Sequence, residues 1–146
     1  MKALFSIILI LVSHYSFGTT VTIFTNDAHP VQIDIELASD VVFPIDNLDS
    51  MAHAKLALNE AVTKRVQLEP DAPAPERYKK AFMSLLNSNE WASHETALET
   101  GSNILLKAVK MRVQKVPAIV FDGKYVIYGV TSLKEAVDIY QRSVNR

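Results

Sequence analysis

Residues 115–129, KVPAIVFDGKYVIYG, restrict the possible folds more than any other part of this 146-residue chain. Ala118 to Phe121 is apolar at every position, the pattern of a strand buried on both faces. Asp122 and Gly123 follow, a pair that suits a tight hairpin turn because both residue types tolerate positive φ. Residues 124–130 read as the partner strand. A helical pattern precedes the hairpin and another follows it. Thr131 or Ser132 caps the second, whose stripe Leu133, Ala136, Val137 and Tyr140 turns inward. A late antiparallel hairpin with a helix on either side fits an α/β sandwich.

The amino terminus has a different character. Lys2 is followed by a ten-residue apolar run, ALFSIILILV, and then by small residues at Ser16 and Gly18. This order of charged, apolar and small-residue segments reads as a secretory signal peptide, residues 1–18, cut after Gly18. An uncleaved anchor or a buried first strand are the other readings of the run, which is short for a membrane span. Cleavage removes one cation, Lys2, and takes the formal charge from −1 to −2. Residues 19–146 form one domain by length. An exported chain meets a compartment where disulfides form, yet this one has no cysteine. Its stability must come from its core, and thiol–disulfide exchange by the chain itself is excluded because that chemistry needs a thiolate. No long run of one charge sign is present, which argues against direct nucleic-acid contact.

Between these ends the chain alternates pattern. Residues 20–25, TVTIFT, read as a strand. Asn26 to Pro30 is a turn or helix start. Residues 31–37, VQIDIEL, alternate as a strand does, and residues 41–45, VVFPI, read as a short edge strand because Pro44 cannot donate to a ladder. Asp49 or Ser50 opens a helix over 51–66, with Ala52, Leu56, Ala57 and Val62 on its apolar side. Residues 68–75, with three prolines, form a connector. A second helix over 76–87 carries Tyr78, Phe82, Leu85 and Leu86 on one face. Residues 88–90 mark a break or a continuation. A third helical stretch over 92–113 points Leu98, Leu105, Ala108, Val109 and Val113 at a core, with Gly101 permitting close approach.

The segment VQKVPAIVFDGKYVIYGVTSLKEAVDIYQ resembles the carboxyl-terminal half of a thioredoxin fold. The resemblance implies a cis-proline, Val116-Pro117, before the hairpin, and a central mixed sheet with helices on both faces. It places Asp27-Ala28-His29-Pro30 where thioredoxins carry their cysteine pair, and puts a helix or loop near 31–37, against the alternation there. Residues about 66–100 become a helical insertion. The phrases FTNDAHPV (24–31), I-x-N-L-D (45–49) and KVPAIVFDGKYVIYGVTSLKEA (115–136) resemble more narrowly an exported protein family encoded in integrating conjugative elements. That family is similar to the thioredoxin-like pilus-assembly proteins of F-type conjugation systems. The implied setting is the periplasm, with envelope proteins of a type IV secretion or mating-pair apparatus as partners.

The candidate site residues follow from position. In the thioredoxin template Pro117 exposes the backbone of Val116 to an extended peptide, a strand-addition mode; alternatively Pro117 only shapes the strand entry. His29 with Asp27 is a base or ligand pair or a turn stabiliser, and Pro30 borders the same groove. Trp91 is an anchor for a partner or a core residue. His53 and His94 lack ligand spacing, and no metal site is expected. No triad, phosphate loop or paired-carboxylate motif is recognisable. The expectation is a non-catalytic binding protein without cofactor, whose membrane contact is through its signal alone. The alternatives are a cysteine-free enzyme using His29 and Asp27 for hydrolytic or metal chemistry, and a periplasmic chaperone.

Overall fold

The computed structural model describes residues 19–34, 43–68, 71 and 73–145. Its centre is a four-stranded sheet. β1 (Val21–Thr25) lies between β2 (Ile45–Asn47) and β3 (Ala118–Phe121), and β4 (Tyr125–Tyr128) is the far edge. β1 runs parallel to β2 and antiparallel to β3, with Ile23 opposite Ile119 and Phe24 opposite Ala118. β3 and β4 form the hairpin.

Side chains alternate across a strand, so the β1–β3 pair feeds two separate cores. Ile23, Ile119 and Phe121 pack on one face with Leu133 and Ala136 of α4 (Leu133–Val144). Phe24, Ala118 and Val120 pack on the other with Ala108 of α3 (Trp91–Lys110). Full burial of each large side chain stabilises by about 1.5–3 kcal/mol. Helices thus cover both faces, and the order of strands and their directions is that of a thioredoxin-like α/β fold, with Val116-Pro117 cis at the entrance to β3.

The hairpin turn does more than reverse the chain. Asp122 and Gly123 both have positive φ, 52° and 65°, as the tight turn requires. The Asp122 carboxylate accepts from the Thr20 N–H at 2.9 Å and from the Tyr140 hydroxyl at 2.8 Å. The Tyr140 ring stacks on Phe121 at 4.4 Å and meets Tyr125 edge-on. This ties the entry to β1, the turn and α4 together. Ser132 caps α4 by accepting from the Glu135 N–H.

α1 (Ser50–Val66) packs against both α2 (Ala74–Leu86) and α3. The buried residues of these helices are Ala54, Val66, Ala81, Leu85, Gly101 and Ala108. Of the large residues expected to face a core, Leu85 does so, whereas Leu56, Tyr78, Phe82, Leu105 and Val109 are exposed. The helices approach largely through small residues, Ala54, Ala81, Gly101 and Ala108, with Val66 and Leu85 filling the space between them. Pro73 takes the cap position of α2 and Pro75 its first turn, where a proline's missing N–H costs nothing, and the proline-rich connector is correspondingly shorter than expected. A turn at 87–90 separates α2 from α3. The Arg65 guanidinium meets Glu90 there at 3.2 Å. α3 ends in a Schellman motif: the Val113 N–H reaches the Ala108 carbonyl and the Arg112 N–H that of Val109. Arg112 takes the left-handed position, φ 54°, at a cost of about 1 kcal/mol relative to glycine.

Two expected strands change. Residues 31–34 form no strand; Gln32 makes one isolated bridge with Ser132. Residues 35–37 lie outside the described residues. The strand expected at 41–45 begins at Ile45 and runs to Asn47; Pro44 precedes it and accepts from the Ile23 N–H at 3.1 Å, while 41 and 42 lie outside the described residues. As expected, β2 is an edge strand.

A Cβ added to Gly101 would sit 2.7 Å from the Met51 Cα and N. Helix propensity alone favours alanine over glycine by about 1 kcal/mol, but the added carbon meets backbone that can move only with α1. Gly101→Ala should therefore lower stability by about 2 kcal/mol, read as a lower urea midpoint; a raised midpoint would show the helices free to separate.

Candidate binding site at the carboxyl end of the sheet

β1 and β2 are parallel, so their carboxyl ends emerge together, the usual place for a site in such sheets. The register Phe24 to Ala118 continues to place Pro117 and Val116 beside the loop that follows Thr25. Asp27, His29, Pro30, Val116 and Pro117 therefore share one end of the sheet. Trp91 does not join them. It opens α3, and the part of α3 that packs on the sheet, Ala108, lies 17 residues on, about 25 Å along the helix. Trp91 is half-buried and meets Phe82 edge-on at 6.1 Å.

The expected pairing of Asp27 with His29 is replaced by another. Asp27 Oδ1 accepts from Asn47 Nδ2 at 2.8 Å, and Oδ2 lies 2.8 Å from His53 Nε2. The Asp27 N–H donates to Asp49 Oδ2 at 3.1 Å, and the Asp49 N–H donates to Asn47 Oδ1 at 2.8 Å. This closes a ring of side chains between the loop after β1 and the start of α1. It also explains why Asp49, at the cap position of α1, makes no side-chain cap: its carboxylate is turned to Asp27. His29 folds back on its own loop. Its Nδ1 is 2.8 Å from Asn26 Oδ1, its N–H donates to the Asn26 carbonyl, and its carbonyl accepts from the Thr25 hydroxyl.

The proline side is apolar. Pro117 is buried and its carbonyl accepts from the Gly129 N–H at 3.0 Å. Val116 is half-buried against Phe24, Ala118 and Val120. Tyr128 packs against the same cluster, and its hydroxyl accepts from the Gln114 N–H at 3.1 Å. The site thus joins a polar loop with both Asp27 oxygens engaged to an apolar strand entry. Among the described residues no three His, Asp or Glu side chains are grouped to hold a metal ion.

Asn47, Asp49 and His53 are the members that sequence reasoning missed. A signal existed: Asp49 and His53 are four apart, hence on one side of a helix start, and that helix follows a strand parallel to the first.

The Asn47 amide holds Asp27 below the usual carboxylate range; burial opposes it less strongly, and His53 lowers it further. Asp34 is held low by the Ser132 hydroxyl and then by the Lys134 N–H. A carboxylate with a depressed folded-state pKa adds stability that is complete above its unfolded value, about 4, and is lost as pH falls through the folded value. Asp27→Asn should therefore be less stable than the parent at neutral pH and lose less stability on acidification. Urea midpoints at neutral pH and near the carboxylate range test this; an unchanged acid slope would remove Asp27 from the linkage.

Residues 19–146 match the model of a family described as "Protein of unknown function (DUF1525)". No curated protein and no solved structure matches the chain. The family match spans the sheet, its four helices and the whole candidate site, and the chain belongs to the DUF1525 family.

Proposed function

We propose that this is a non-catalytic, exported thioredoxin-like protein that binds and positions another envelope protein while a conjugative transfer apparatus is assembled. The observation that carries the reading is the composition of the loop after β1. Where the fold's redox members carry thiols, this chain has Asp27-Ala28-His29-Pro30, and both Asp27 oxygens and the His29 Nδ1 are engaged within the protein. A loop so held is a preformed surface, and preformed surfaces bind with less ordering cost. The conjugative setting and the periplasmic location rest on the resemblance of residues 24–31, 45–49 and 115–136 to the exported family of integrating conjugative elements.

Ala28 is exposed at the tip of the loop. Ala28→Arg should leave thermal stability within about 0.5 kcal/mol and weaken co-purification of the partner about tenfold or more, equivalent to ~1.4 kcal/mol. Deletion of the gene should lower conjugative transfer of its element in a mating assay, and the Ala28→Arg form should fail to restore it. Normal transfer after deletion would refute the role, and full restoration by Ala28→Arg would move the binding surface away from this loop.

A further inference from the structure

The carboxyl-terminal part of α3 leaves its large apolar residues outside. Leu105, Leu106 and Val109 are 39%, 54% and 73% exposed. Lys110 follows Leu106 by four residues and borders the same side of the helix. Arg112 and Lys115 come next, both exposed. Between Glu99 and Asp122 the chain has Lys107, Lys110, Arg112 and Lys115 and no acidic residue, although the whole chain is net negative. Lys107 is paired with Asp46 at 2.7 Å, and Lys115 stands over the Tyr128 ring at 5.4 Å. Glu95 and Glu99 lie at least seven residues before Leu106, about 10 Å back along the helix. The apolar residues and cations are therefore concentrated at one end of α3. That end closes on an arginine in the left-handed position, where glycine is the less strained residue.

The charge decides between occupants. A second copy joined by a twofold axis would set this patch against itself and bring Lys110 and Arg112 towards their own equivalents. The clefts along α4 and between α1, α2 and the start of α3 are lined by other residues. Protruding Leu and Val with long cationic side chains around them match a bilayer interface, where the apolar groups enter the acyl boundary and the cations stay among phosphates.

We propose that this end of α3 docks on an anionic phospholipid surface, with Leu106 and Val109 entering the interface and Lys110, Arg112 and Lys115 holding lipid phosphates. This contact belongs to the folded domain and is additional to any made by residues 1–18.

The absence of cysteine makes a single-site probe straightforward. The full chain bearing Val109→Cys labelled with the fluorophore NBD should shift to the blue on vesicles of phosphatidylcholine mixed with phosphatidylglycerol, and not on phosphatidylcholine alone. The same label at Gln141→Cys, on exposed α4, should not shift, which separates docking of α3 from tethering by the amino terminus. Adding Lys110→Gln and Arg112→Gly should weaken the response about 25-fold, near fivefold per charge. Arg112→Gly relieves the left-handed residue, so that loss cannot come from unfolding; a circular dichroism melt confirms it. No shift at position 109, an equal shift on neutral vesicles, or an equal shift at position 141 would overturn the proposal. So would a shift produced by polyglutamate but not by vesicles, which would assign the face to an acidic protein, or a lipid-free shift rising with protein concentration, which would assign it to a second copy.

Discussion

The antiparallel pairing of β1 with β3 is the constraint on which the rest of this protein depends. Ile23, Phe24, Ile119, Val120 and Phe121 are almost wholly buried, and they belong to two cores on opposite faces of one ladder. A shift of one residue would exchange the faces and put every inward side chain outward. The register sets the α4 packing, the reach of α3 to the sheet, and the place where Pro117 meets the loop after Thr25.

At the carboxyl end of that ladder the fold has a polar ring in place of a thiol pair. Asp27, Asn47, Asp49 and His53 bond one another across two loops, and Asp34 does similar work farther on. It accepts from the Ser132 hydroxyl and from the Lys134 N–H, placing a negative charge at the start of α4, where the helix dipole favours it. The segment between the two carboxylates is thus held at both ends by side chains and carries no strand ladder of its own.

The difference between what was legible in the sequence and what was not has a physical basis. The hairpin was legible because burial on both faces and a positive-φ turn leave local marks in Ala118–Phe121, Asp122 and Gly123. The stripe of α4 was legible because Leu133 and Ala136 face a sheet and keep helical spacing. The faces of α1, α2 and α3 were legible only in part: Leu85, Gly101 and Ala108 were expected at contacts and make them, but Ala54 and Ala81 make contact by being small, and hydrophobic periodicity weights large residues. The alternation at 31–34 suggested a strand, but the Gln32 backbone bonds Thr131 and Leu133 instead, a long-range partner with no local trace. At the candidate site the positions of His29 and Pro117 were legible by template. The turn of Asp27 away from His29 and towards His53 was not, since it depends on where α1 begins relative to β2.

The junction of Thr20, Asp122 and Tyr140 has a mechanical consequence. It lies at the opposite end of β1 from the loop at 26–30, so the two ends of one central strand are a fixed end and a presenting end. A chain held through the residues before Thr20 and pulled from that loop would carry the load along β1. The ladders to β2 and β3 would then be loaded in shear, and their hydrogen bonds would have to fail together. Such a strand would transmit force without opening the sheet.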